Sequence, residues 1–229
     1  MLRAGAEWVV IKNWLEGARR RWGSARVLSP TGYLNDAQIR HAAWGQNERP
    51  NARPDRSPWA KIAETAIKDV RSVWRMSHFD RAARRGSTQT RPLFVWQYHS
   101  LFQRAGLSLG RLLGVPTVLY VAAPQVWEAA SWGVRRPLWG SLVESWGESR
   151  QFREADLLAC LSKDVADAVI ARGASSNRVI VTPCTADSIR SQTPSSDLRR
   201  RFRLTGGPVV GWVGSFRDFH NAEMLVRAV

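Results

Sequence analysis

Lysine is nearly missing from this chain: of 34 basic residues only Lys12, Lys61, Lys68 and Lys163 are lysines, the rest being arginine. Cysteine is as scarce, with Cys160 and Cys184 alone. Two thiols so far apart make no metal-ligand spacing, and nothing in them calls for an oxidising compartment. No apolar run nears the roughly 20 residues of a membrane span, and no charged-then-apolar leader opens the chain. The expectation is a cytoplasmic protein, with peripheral contact to a membrane surface left open. Also lacking are a Walker P-loop, a Gly-x-Gly-x-x-Gly turn and a His-Glu-x-x-His helix; a Gly-x-Ser-x-Gly pattern occurs at Gly106-Leu-Ser-Leu-Gly110, but inside an expected helix rather than on the strand-to-helix turn of a nucleophile elbow. Nucleotide hydrolysis, dinucleotide redox chemistry, metalloproteolysis and serine hydrolysis lose ground accordingly.

What is there is arginine, tryptophan and a regular α/β rhythm. The net charge of +15 suits polyanions such as nucleic acid, anionic lipid headgroups or phosphorylated substrates; solvated basic faces from an arginine-biased genome account for it equally well. Hydrophobic residues, 44% of 229, suffice for a packed core. Most of the twelve tryptophans fall in expected helices, several on apolar stripes, so core packing explains them better than base stacking.

Trp8, Ile11, Leu15, Ala18 and Trp22 recur at helical spacing, predicting a helix over 7–22, followed by a short strand at 26–29. Residues 31–57, punctuated by glycine and proline, read as a long loop; 59–74 as a helix; 81–91 as a basic exposed loop. Strands and helices then alternate: strand 93–98, helix 101–113, strand 117–122, helix 137–152, strand 156–161, helix 163–172, strand 178–182. The strands are continuous apolar runs, as in a parallel sheet covered on both faces. The fold class expected is α/β, a Rossmann-like doubly wound parallel sheet over residues 1–184. A Thr/Ser/Asp/Pro-rich linker, 185–196, leads to 197–229, where Val209–Val213, a glycine turn and a helix read as the start of a second Rossmann-like domain.

In such sheets ligands bind at the carboxyl ends of the strands. His99 stands there as a candidate acid, base or hydrogen-bond donor, although a lone histidine at a strand end is more often structural. Glu128 lies past the next strand, where an ordinary surface carboxylate is the simpler reading. Ala4-Gly5-Ala6-Glu7 opens a helix with small residues, a place where phosphate could meet free backbone N–H groups, or just an ordinary helix start. Gly211 and Gly214 with Arg217 and His220 form a second such cradle.

Taken in order, these segments resemble the retaining glycosyltransferases of the GT-B fold, family 4. Ala4-Gly5-Ala6-Glu7 is similar to that family's Gly-Gly-x-Glu loop, and Phe94-Val-Trp-Gln-Tyr-His99 to its strand ending in histidine. Leu113-Gly-Val-Pro-Thr-Val-Leu119 is similar to the helix-to-strand junction, and Ala155-Asp156-Leu-Leu-Ala-Cys-Leu-Ser162 to its Ala-Asp-x-(apolar)-Ser strand. Gly173 with Arg178–Pro183 and Asp187, then Val213-Gly214-Ser215-Phe216 with His220-Asn221, continue the pattern. The chain departs from it with Ala122-Ala123 where His-Asp is frequent, with Cys184-Thr185 for Asn-Gly, and with Ser215 and His220 at the usual Arg and Lys.

The resemblance implies two Rossmann-like domains around a cleft, and transfer of a sugar from a nucleotide-sugar to a hydroxyl acceptor with retention, without metal or other cofactor. It casts His99 and Glu128 on the acceptor side, and Gly5, Gly214, Arg217 and His220 around the donor diphosphate. A sugar or lipid-linked acceptor and an anionic membrane are the expected partners; nucleic acid is not. The family's first strand would precede the glycine-bearing loop and its donor-gripping carboxylate pair would follow Val229. The expectation is therefore an inactive fragment. The alternative is a non-catalytic basic protein that binds nucleic acid or anionic membrane through its arginines.

Overall fold

The computed structural model describes residues 6–30, 32–41, 57–85, 91–183, 200–204, 209–211 and 222–228. The chain divides into two compact units, Met1–Thr182 and Pro183–Val229.

The first unit opens with α1 (Ala6–Trp22), stopped by Gly23, whose positive φ of 79° lets its N–H reach back to the Arg19 carbonyl at 2.9 Å. Trp8, Ile11 and Leu15 on one stripe pack against β1 (Val27–Ser29), β2 (Gly32–Leu34) and Ile39 of α2 (Asp36–His41). The short strand expected at 26–29 is present as β1; it is half of an antiparallel hairpin, Val27 opposite Leu34, and stands outside the parallel sheet. Part of the expected loop over 31–57 is ordered into β2 and α2; its remainder, 42–56, lies outside the described residues.

The third helix, α3, is longer than its apolar stripe suggested. It runs Pro58–Arg85, so the first part of the presumed basic loop at 81–91 is helical. Proline at the first helical position and the Ser57 hydroxyl, accepting the Ala60 N–H at 3.3 Å, start it. The Asp80–Arg84 pair, one turn apart, supports its last turns. Phe79 and Ala83 pack this end on Ala105 of α4 (Ala105–Leu113).

The centre is a four-stranded parallel sheet of β3 (Val95–Tyr98), β4 (Thr117–Val121), β5 (Leu157–Cys160) and β6 (Val179–Val181), in that order. Between β4 and β5 come α5 (Gln125–Ser131) and α6, which is α-helical over Gly140–Leu142 and Arg150–Glu154 and a π-helix over Val143–Ser149. Helix α7 (Lys163–Ala171) joins β5 to β6. Right-handed crossovers between strands laid down in chain order put every crossover helix on the same face. Leu107 of α4, Phe152 of α6 and Val165 and Val169 of α7 indeed meet Leu119, Val121, Leu158 and Cys160 in one core. The other face is aromatic: Trp96, Tyr98 and Tyr120 lie together, and Trp14 of α1 stacks on Trp96 with ring centroids 4.7 Å apart. The architecture is α/β with a parallel sheet, compatible with a Rossmann-like unit; a doubly wound sheet needs a reversal of strand order, and the described strands contain none.

In the second unit residues 209–211 of the expected strand Val209–Val213 have no regular structure, and 212–213 lie outside the described residues, as does the linker. The expected helix is α8 (Ala222–Ala228).

Candidate functional site

The carboxyl end of β3 carries His99, whose backbone N–H continues the ladder by donating to the Tyr120 carbonyl at 2.8 Å. Its ring turns inward beside Phe152, with centroids 5.0 Å apart, and only 1% of the residue is exposed. Nε2 lies 2.9 Å from Oε1 of Glu148, itself fully buried. A carboxylate only accepts, so Nε2 is the donor of this bond. Nδ1 is buried without a hydrogen-bond partner among the described residues.

Glu148 reaches this position because α6 widens into its π-helical stretch there, leaving Gly147, Glu148 and Ser149 all buried in succession. The carboxylate also accepts the backbone N–H groups of Gln125 and Val126, the latter at 3.4 Å, and so caps the start of α5 from outside that helix. Gln125 in turn accepts the Leu101 N–H at 2.9 Å. One buried carboxylate thus ties together the β3 end, the Ala122-Ala123-Pro124 turn and α6. A second buried relay runs beside it: Gln97 accepts the Gly106 N–H at 2.7 Å and donates to Gln151, which donates to the Ser100 and Gly147 carbonyls. Gly106 has no room for a side chain, since a Cβ would stand 2.6 Å from the Gln97 oxygen.

Of the residues singled out in the sequence, His99 and Glu128 are described. They are not brought together: His99 meets Glu148, while Glu128 sits on the first turn of α5, half-buried. Gly5, Gly214, Arg217 and His220 lie outside the described residues. The other segments have plain structural work. Asp156 accepts the N–H and hydroxyl of Thr117 at 2.7 and 2.8 Å, fastening the starts of β4 and β5. Ser162 caps α7 by accepting the Val165 N–H at 3.3 Å. Gly114 and Gly173, at φ 62° and 94°, end α4 and α7.

Glu148 escaped the sequence reading. Its signal was a carboxylate four residues ahead of Phe152 on what must be an inward helix face, which demands a buried partner. Two grooves on this unit do not include the pair. A groove of about 660 Å³ lies on the aromatic face, between α1, β1 and the outer edge of β3, lined by Trp14, Trp22, Phe94, Trp96 and Tyr98. A smaller one of about 390 Å³ opens at the amino ends of the strands, beside Arg111, Glu154 and Asp156. Among the described residues no group of three or more His, Cys, Asp or Glu could hold a metal ion, and no helix is long and apolar enough to cross a membrane.

Comparison with protein-family models, with curated proteins and with solved structures found no match to this chain.

Proposed function

We propose that the chain carries the acceptor-side domain of a retaining glycosyltransferase that uses a nucleotide-sugar. The observation that supports this reading most is the course of the segments resembling that family. Those of them between Phe94 and Pro183 fall on consecutive strands of one parallel sheet, His99 directly after β3 and Ser162 after β5, with the carboxyl ends on one side. That is the edge at which α/β sheets bind ligands.

In the transfer, the bond from the sugar C1 to the donor phosphate oxygen breaks as the acceptor oxygen bonds to C1 and passes its proton to the departing phosphate oxygen. Charge develops on the departing diphosphate, so its stabilisation is the main electrostatic task. Gly5, Gly214, Arg217 and His220 are assigned that task. Glu128 is the acceptor-side residue with access to solvent. His99, sealed by Phe152 and Glu148, serves as a positioning residue: it holds the carboxylate that sets the α5 start and with it Glu128.

The test is release of nucleoside diphosphate from UDP-, GDP- and ADP-sugars by the protein expressed from its full reading frame, with hydroxyl acceptors supplied. Acceptor-dependent release, and a product whose anomeric configuration matches the donor, is the expected result. Absence of both, together with steeply salt-dependent binding of nucleic acid, would place the chain among basic binding proteins instead.

A further inference from the structure

A helix lying on a domain buries one face and shows polar residues on the other. The first half of α3 does otherwise. Asp69 faces inward, where Arg136 grips it with two hydrogen bonds and the Trp139 indole adds a third at 3.0 Å. Outward stand Trp59, Ala63, Ile67, Val70 and Trp74, spaced four, four, three and four residues apart on one stripe. The large ones are open to solvent: Trp59 78%, Ile67 51%, Val70 70% and Trp74 65%.

Arg71 and Arg75 are exposed along one side of the stripe and have no ion pair among the described residues. The acidic residues of this stretch are already engaged, Glu64 by Lys68 and Asp69 by Arg136. The loop pinned to Asp69 carries a further exposed apolar residue, Leu138, at a positive φ of 68° between Arg136 and Trp139.

We propose that this face of α3 docks on an anionic phospholipid bilayer, with Trp59 and Trp74 seated at the headgroup boundary and Arg71 and Arg75 on lipid phosphates. Tryptophan at both ends of an apolar stripe, about 22 Å apart at 1.5 Å per residue, suits a helix lying in the interface plane. The bordering cations and the net charge of +15 are complementary to an anionic surface and repel a second copy of the same chain. Duplex nucleic acid would need the cations at the centre of the footprint, where the stripe is. This docking stands independently of the glycosyl-transfer reading.

The experiment is flotation of the full chain with phosphatidylcholine vesicles that contain or lack phosphatidylglycerol, using wild type, Trp59→Ser/Trp74→Ser and Arg71→Gln/Arg75→Gln. All four positions are exposed, and circular dichroism checks that each variant is folded. Wild type is expected to float with the anionic vesicles, and its fluorescence to be quenched by brominated lipid. The tryptophan variant should lose that quenching and bind at least about tenfold more weakly. The arginine variant should lose about thirtyfold on anionic vesicles, two surface cations' worth, with neutral vesicles unaffected. Wild-type failure to float, undiminished flotation of the tryptophan variant, or a concentration-dependent dimer abolished by that variant would each overturn the proposal. A Trp59→Phe/Trp74→Phe variant that floats like wild type supports it if the serine variant misfolds; one that does not float overturns it.

Discussion

His99 Nε2 and Glu148 Oε1 lie 2.9 Å apart, where water barely reaches either side chain. A buried carboxylate is tolerated when its lone pairs are occupied, and here the imidazole and two backbone N–H groups of α5 occupy them. Replacing Glu148 by alanine leaves all three donors unmatched. The expected loss is about 3–5 kcal/mol, read from the urea midpoint. His99→Ala should cost about 2–3 kcal/mol, because the carboxylate keeps its N–H partners. If His99→Ala leaves the midpoint unchanged, the pair is not a structural joint.

Gly147 answers to Phe102. A Cβ on Gly147 would stand 2.6 Å from one ring carbon and 2.9 Å from the next, while the Phe102 N–H donates to the Gly147 carbonyl at 2.8 Å. Gly147→Ala should therefore destabilise by about 1–3 kcal/mol through overpacking. Adding Phe102→Ala should recover part of that, the cost of the pair falling short of the sum of the singles in a thermal-unfolding cycle.

Cys160, on the inner face of β5, has its thiol pushed up to about 11 by burial. Almost none of it is thiolate at neutral pH, so it should resist alkylation in the native protein and react fully in denaturant. Peptide mapping of iodoacetamide-treated protein measures this. Rapid native labelling of the Cys160 peptide would contradict the core position of β5.

Glu154 sets an acid limit on stability. Burial alone would raise its pKa, but hydrogen bonds from Arg150 and Arg104 and the charges of Arg104 and Arg111 outweigh it and hold the group below the ordinary 4.5. The folded chain therefore binds this proton less tightly than the unfolded chain. The group's contribution is fully present above the unfolded value and is lost as pH falls through the folded one. Melting temperature should drop on acidification below about pH 4.5. Glu154→Gln should start lower and show a shallower fall over that window.

The sheet was legible because its strands are apolar throughout: Leu119, Val121, Leu158 and Cys160 leave no alternation to mistake for a half-exposed strand. The β1–β2 hairpin was not, because each arm is three residues long and Pro30 looks like a stop. Arg84 and Arg85 concealed the end of α3, since charge density alone does not distinguish a loop from a solvated helical turn. Helix α5 was missed for its brevity and because its start is capped from α6 rather than by a neighbour in sequence. The same holds for the site. His99 could be found from its place at a strand end, but Glu148, 49 residues away, becomes its partner only through the π-helical phase of α6.

The order of the strands in space, β3 to β6, is also their order along the chain. Each strand thus docks on one already synthesised, and none has to wait for a partner that leaves the ribosome later. Loop closure is paid in modest steps, a single crossover at a time, instead of by one distant pairing. A nascent chain released as far as Cys160 already contains the whole of β3, β4 and β5, so assembly of this sheet can proceed in step with translation.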